Sequence, residues 1–403
     1  MGASIHVRMV LLLLVALIAA SGTWGEPALN PETGLVGVLY AGDCYGNTPY
    51  LYMIDEPLFE ITPLPASFHE TKFTWEEMKR SMRQYMPRTY RDHVINHQVV
   101  MMSDTGFDLY TAKQLMWLKR GVIEAGQGIF MVGGYQGFGG KSPAPSWSGS
   151  SVADVLPVLC LEGEVWEGGF FRPMPVDRNH EFYTALKWGG VKPFDGMNIV
   201  KTRESAEEIL RPSSTGPESP LLVYWETGEG SGLAHTSDLT PGWGEDFMDW
   251  DWYPDYVNNL IYLVARLDVP QDPNLLHAVR TALYTYRQQR GLAVSLADFV
   301  GKFGADFTPI EAGLAELQSM KQEANRLYTR QEYQAVLEKM EEISGKVQEL
   351  NAKAIELKNR ALMWVFLVEW MVVSATIMVC GYAVWTLMVK RRLYREMGAT
   401  RFE

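Results

Sequence analysis

Gly128-Ile129-Phe130-Met131-Val132-Gly133-Gly134-Tyr135-Gln136-Gly137 is the stretch on which the reading of this chain turns. Its first five residues are an uninterrupted run of apolar, β-branched and aromatic side chains after a glycine, the pattern of a strand buried on both faces. The glycines that follow permit a sharp turn at the strand's end. Gly133 to Gly137 then has the spacing of a nucleophile elbow, in which small flanking residues keep a reactive central side chain clear of its neighbours. Here the central residue is Tyr135. A phenol with an ordinary pKa near 10 is a weak attacking group at neutral pH. The stretch therefore points to an enzyme's fold without its nucleophile.

On either side of this stretch, Leu35 to Tyr40 and His97 to Met102 read as further strands, and residues 75–86 and 110–125 as helices, with Leu115, Leu118, Val122 and Ile123 on one face of the second. Strand alternating with helix implies a parallel sheet, whose ligand groups collect at the carboxyl ends of the strands. Ser103, Asp104 and Tyr135 all fall at such ends. Gly137 to Ser151 reads as a surface loop, and residues 207–220 as a second polar loop ahead of the strand Leu221 to Trp225.

Two blocks carry a resemblance. The first comprises Val99 to Asp104, the elbow, and Ser151-Val152-Ala153-Asp154-Val155-Leu156-Pro157-Val158; the second is Gly230 to Asp238 followed by Pro241-Gly242-Trp243-Gly244. Over residues 34–268 the chain resembles the class I glutamine amidotransferase-like superfamily. That resemblance implies a flavodoxin-like α/β fold, a parallel sheet with flanking helices. Active members carry cysteine at the elbow, with a distant histidine and glutamate to orient it. The cysteine position is Tyr135 here, and the histidine position corresponds to His235, with Asp238 nearby. Gly134, Tyr135, Gln136, Ser103, Asp104, His235 and Asp238 are therefore the pocket candidates, and none is assigned a catalytic role. The competing reading is a hydrolase of amide or glycosidic bonds, using His235, Asp238 and Asp104 around a water.

Trp243, Phe247, Trp250, Trp252, Tyr253 and Tyr256 alternate with five acidic residues between 245 and 255. Trp243, Trp250 and Trp252 either offer a stacking surface for a saccharide or cap the sheet while the acids face water. His69, His93, His97, His180 and His277 lack zinc-ligand spacing, so neither metal nor cofactor is expected. Cys44 and Cys160 fit a disulfide and free thiols equally well.

The two ends place the domain. Residues 1–25 have a short basic region, a brief apolar run and small residues, as in a secretory signal peptide. Ala361 to Val389 is apolar except for Glu369 and a few small polar residues, and is long enough to cross a bilayer. Lys390, Arg391, Arg392 and Arg395 follow, which puts the tail, residues 390–403, in the cytoplasm. Residues 26–268 would then be an extracytoplasmic domain, 269–308 a helical connector, and 309–360 an amphipathic helical hairpin or coiled-coil stalk. The expected product is a single-pass cell-membrane protein that binds a ligand or joins an envelope protein partner. Homo-oligomerisation stays open. A net charge of −12 and a pI near 5.2 leave no electrostatic footprint for nucleic acid.

Overall fold

The computed structural model describes residues 28–46, 48–67, 73–140, 145–163, 166–213, 218–270, 272–303 and 306–399. The signal-peptide segment and His69 lie outside the described residues. The chain divides into two compact units. One holds the residues up to Leu283 together with Tyr328–Tyr333; the other holds Tyr284–Leu327 and everything from Gln334 onward.

The first unit runs β1 (Val36–Gly42), β2 (Phe59–Pro65), α1 (Trp75–Tyr85), α2 (Tyr90–Asn96), β3 (Val99–Ser103), α3 (Ala112–Ala125) and β4 (Gly128–Val132). Short strands follow: β5 (Val158–Cys160), β6 (Trp166–Phe171), β7 (Pro173–Pro175), β8 (Phe194–Asn198), β9 (Val200–Thr202) and β10 (Glu207–Pro212). The hairpin of β11 (Leu222–Thr227) and β12 (Gly230–His235) leads to α4 (Pro241–Met248) and α5 (Tyr253–Val264). Eight strands form one sheet in the order β2-β1-β3-β4-β12-β11-β10-β7. The first five are mutually parallel, and β11, β10 and β7 extend the sheet antiparallel.

Strands β1, β3, β4 and β12 are buried along their whole length, which is why they read as unbroken apolar or small-residue runs. Their alternate residues feed two cores. Val38, Tyr40, Met101, Phe130 and Leu233 pack with Phe247, Tyr256 and Ile261, while Leu39, Met102, Met131 and Ala234 pack with Leu118, Val122 and Trp147. Capping boxes at Thr74/Glu77 and Thr111/Gln114 start α1 and α3, and Gly126, at φ 72°, ends α3.

One element differs from the sequence expectation. The polar loop expected over 207–220 begins as β10, whose Ile209 and Leu210 are buried while Glu207 and Arg211 face outward. Past the elbow, the described residues 134–140 form bends and a turn, and Trp147–Gly149 and Ser151–Val155 are short 3-10 segments, in the stretch read as a loop.

In the second unit, the C-terminal part of α6 (Pro273–Lys302) accompanies α7 (Thr308–Thr329) and α8 (Tyr333–Ala399). Lys346 pairs with Glu316, and Lys339 with Glu323 at 2.9 Å, so a step forward along α8 is a step back along α7. That register is an antiparallel hairpin closed within one chain. Leu317, Met320 and Ala324 of α7 and Val336, Met340, Ile343 and Val347 of α8 are its buried stripe. The same α8 carries the apolar run, the one helix among the described residues long and apolar enough to cross a membrane.

Candidate functional site

The parallel register brings the ends of β1, β3, β4 and β12 side by side, with Ala41 opposite Met102, Ser103 opposite Val132 and His235 opposite Val132. The site is built on that rim. Gly134 has φ 137°, a conformation open only to glycine, and a Cβ there would come within 2.6 Å of Asp104 Cβ and closer still to its carboxylate. Asp104 itself sits at φ 45°, in the left-handed region that aspartate tolerates better than most residues. The Asp104 side chain is thus pressed against Gly134, and its Oδ1 accepts the Gln136 N–H at 2.7 Å.

Other groups close the remaining valences of the turn. Asn198, at the end of β8, accepts the Gly134 N–H at 3.0 Å and donates to Gly134 O at 3.1 Å. Trp147 Nε1 donates to Gln136 O at 3.1 Å and to Thr105 O at 3.0 Å. Tyr135 is absent from the residues with positive φ, so the central residue of this turn does not carry the backbone strain of an elbow nucleophile. Its half-buried ring leans on Trp166 and Trp243.

His235 is fully buried on the opposite side of β12 from the Ala234 core. Its Nδ1 donates to Ser237 O at 2.8 Å, and its ring lies edge-on to Phe194 and Tyr256 at 5.3 and 5.8 Å. Nε2 has no partner among the described residues, and no carboxylate hydrogen-bonds the ring. Burial pulls the imidazole pKa down to about 4, so it is neutral at physiological pH. The structure thus places His235 as a sealed, uncharged ring.

Asp238 is close to Asp104 instead. Its Oδ1 accepts the Thr240 N–H at 2.9 Å and its Oδ2 the Thr240 hydroxyl at 2.6 Å. A Cβ on Gly242 would reach 2.6 Å from Oδ2, so glycine lets the first turn of α4 pass over the carboxyl group. Burial, and then the charge of Asp104, push Asp238 well above the usual carboxylate range, outweighing those hydrogen bonds. The hydroxyls of Tyr40 and Ser103 are buried beside one another at the ends of β1 and β3 and have no other partner among the described residues.

A carboxyl group whose folded pKa is raised keeps its proton while the unfolded chain releases its own, so stability is lost as pH rises from about 4 toward the folded value. Asp238→Asn, which retains an acceptor for Thr240, should therefore stabilise the protein by about 1 kcal/mol at pH 8, roughly 2–4 °C in Tm. The gain should vanish near pH 4. Thermal unfolding at the two pH values reads this directly, and equal effects at both would contradict the assignment.

Of the other candidates, Trp250 is buried against Trp188 and Tyr256, and Trp252 stacks on His277 at 4.3 Å. Trp243 alone of the three tryptophans meets the elbow. Cys44 and Cys160 are free thiols, both pushed up to about 12 by burial. Cys44 lies just past β1, with Sγ 3.7 Å from Gly42 O. Asn198, Trp166 and Tyr40 join the site without having been expected. They arrive through pairing across the sheets, and no local motif marks them.

A family model described as "Putative glutamine amidotransferase" matches residues 45–265. No curated protein sequence matches the chain. Among solved structures the chain is similar to cytoplasmic protein STM3548 from Salmonella typhimurium, at 21% identity and a TM-score of 0.47, over 57% of this chain and 99% of that one. It is also similar to cytoplasmic protein STM1381 from Salmonella typhimurium LT2, at 18% identity and a TM-score of 0.45, over 56% and 99%. A beta-galactosidase from Rahnella sp. R3 is similar at 9% identity and a TM-score of 0.31, over 57% of this chain and 31% of that one.

Proposed function

The chain belongs to the glutamine amidotransferase-like family, whose model covers more than half of it, and on that premise we propose that it is a non-catalytic member. It holds a ligand, or a partner in an envelope complex, at the rim where relatives would cut glutamine. The observation that carries this reading is the Asp104 carboxylate on the Gln136 N–H. In an elbow enzyme the N–H of the residue after the nucleophile stabilises the developing oxyanion. A carboxylate at that donor occupies it and repels negative charge. Tyr135 at the nucleophile position and the sealed, neutral ring of His235 support the same reading.

The membrane part of the proposal rests on the apolar run within α8 and on Lys390, Arg391, Arg392 and Arg395 behind it. These basic residues orient the tail toward the cytoplasm and the α/β domain to the outside. The signal-like composition of the first 25 residues favours the same orientation.

Restoring the missing thiol provides the test. Tyr135→Cys is expected to release no ammonia from glutamine above the level of the unaltered protein. Turnover by this variant would show that the turn still supports oxyanion chemistry and would overturn the reading.

A further inference from the structure

Two contacts within the second unit fix how far α6 reaches along α8. Asn351 Nδ2 donates to Gln289 O at 3.2 Å, and Lys358 Nζ lies 5.9 Å from the centroid of the Phe299 ring. Both helices advance in the same direction between these contacts, so they run parallel. Carried forward residue by residue, the first pairing sets Phe303 level with Val365, and the second sets it level with Leu362. Trp364 lies between those two levels, within about 3 Å of either along the helix axis.

Trp364 marks a boundary. From Trp364 to Trp385, α8 rises about 32 Å, close to the roughly 30 Å of a bilayer's hydrocarbon core. Both indoles are exposed, as the aromatic belts of a spanning helix are. In the orientation proposed above, the outer interface falls at Trp364. The end of α6 reaches the same level.

That end is aromatic and held in place. The Phe303 N–H donates to Val300 O at 3.1 Å, which extends the last turn of α6 by one residue. Phe303 packs on Phe299 at 4.9 Å and 55°, yet its side of the corner stays open at 43% exposure. Phe307, just ahead of α7, lies against Gly301, where a Cβ would come within 3.2 Å of the ring. Lys302 pairs with Asp298 at 2.8 Å and Arg360 with Glu356, so charges beside the corner are matched, and the basic side chains have apolar stems that suit an interface. One exposed phenylalanine is ordinary on a surface that faces water. This one stands level with Leu362, Met363 and Trp364, all exposed at the start of the apolar run.

From this shared level we infer that the corner formed by Phe299, Phe303 and Phe307 is a second membrane contact, seated in the outer interfacial layer of the bilayer that α8 crosses. The inference rests on the transmembrane reading and adds the surface on which lipid meets the helical bundle. A single spanning helix can tilt to suit the bilayer. An aromatic corner anchored beside it holds the bundle at one angle to the membrane.

Lipid photocrosslinking tests this on the full chain. The protein is reconstituted in phosphatidylcholine vesicles in which part of the lipid carries a diazirine on an acyl carbon near the glycerol, and peptide mass spectrometry after irradiation reads where lipid has attached. Attachment is expected at Phe303 or Phe307 as well as on the apolar run of α8. The peptide Met340–Lys346, which lies farther from Trp364 along α8, should carry none. Phe303→Asp should lower attachment at the corner about ten-fold and leave attachment on the apolar run unchanged. Near-UV circular dichroism checks the fold of that variant; should the fold be lost, the pattern on the unaltered chain decides. Attachment on the apolar run but not at the corner would overturn the inference and leave the transmembrane reading standing, as would corner attachment unchanged in folded Phe303→Asp. Attachment at neither place would overturn both.

Discussion

Arg280→Met should destabilise the first unit by about 3–5 kcal/mol, the largest effect of any single substitution considered for this chain. Arg280 Nε lies 2.9 Å from Glu56 Oε2, and its Nη1 lies 3.1 Å from Asp255 Oδ1 and 2.9 Å from Asn259 Oδ1. The side chains of Glu56 and Asp255 are 0% and 3% exposed. Tyr262 donates to the other oxygen of Glu56 at 3.0 Å, and His277 meets the other oxygen of Asp255 at 2.6 Å. Removing the guanidinium leaves two buried carboxylates facing a methionine, and that uncompensated charge dominates the cost. Against a total stability of about 5–15 kcal/mol the loss is large. Denaturant unfolding followed by tryptophan fluorescence measures it. Adding Glu56→Gln to Arg280→Met should recover part of the loss, since it removes one of the orphaned charges. A single-variant cost below about 1 kcal/mol would mean that the cluster is solvated and does not hold the start of α6 as described.

The second large effect belongs to the elbow. Gly134→Ala combines two costs. Its φ of 137° lies outside the range of residues with a side chain, and the new methyl group would overlap Asp104. A loss of about 3 kcal/mol or more is expected, because β3 and β4 fix both backbones and neither can retreat. Gly189→Ala, where nothing lies within 4 Å and φ is unrestricted, should stay within about 0.5 kcal/mol and serves as the control. Asp104→Gly removes the obstructing side chain and suits its own φ of 45°. In that background Gly134→Ala should cost markedly less. An equal cost in both backgrounds would separate the elbow from Asp104 and weaken the account of the blocked oxyanion donor.

The parts of the fold legible in the sequence were those in which one physical demand dominates. Strands β1, β3, β4 and β12 are covered on both faces, so their composition is nearly uniform and independent of register. Strand β2 carries Pro63 and Pro65, which argue against a strand; the edge of the sheet tolerates them because there one side of the ladder needs no donor. Strand β10 was hidden by Glu207, Glu208, Arg211 and Pro212, whose polarity reads as loop until the buried pair Ile209 and Leu210 is paired with β11.

The site shows the same division. Tyr135, Asp104, His235 and Asp238 were visible as polar residues at the ends of apolar runs. That His235 turns into the core, and that the charge of Asp104 raises Asp238, depend on strand register and on the passage of α4, which local pattern does not carry. Asn198 reaches Gly134 across 64 residues of sequence, and no nearby residue announces it.

The most direct test of the central claim is glutamine turnover by the unaltered full chain, followed by ammonia release and by intact-protein mass after exposure to a diazo-ketone analogue of glutamine. No turnover above buffer and no covalent adduct are expected, because the elbow holds a phenol, its oxyanion donor holds a carboxylate, and the thiol at Cys44 is held protonated. Turnover that disappears in Tyr135→Phe, or an adduct on Tyr135 or Cys44, would contradict it.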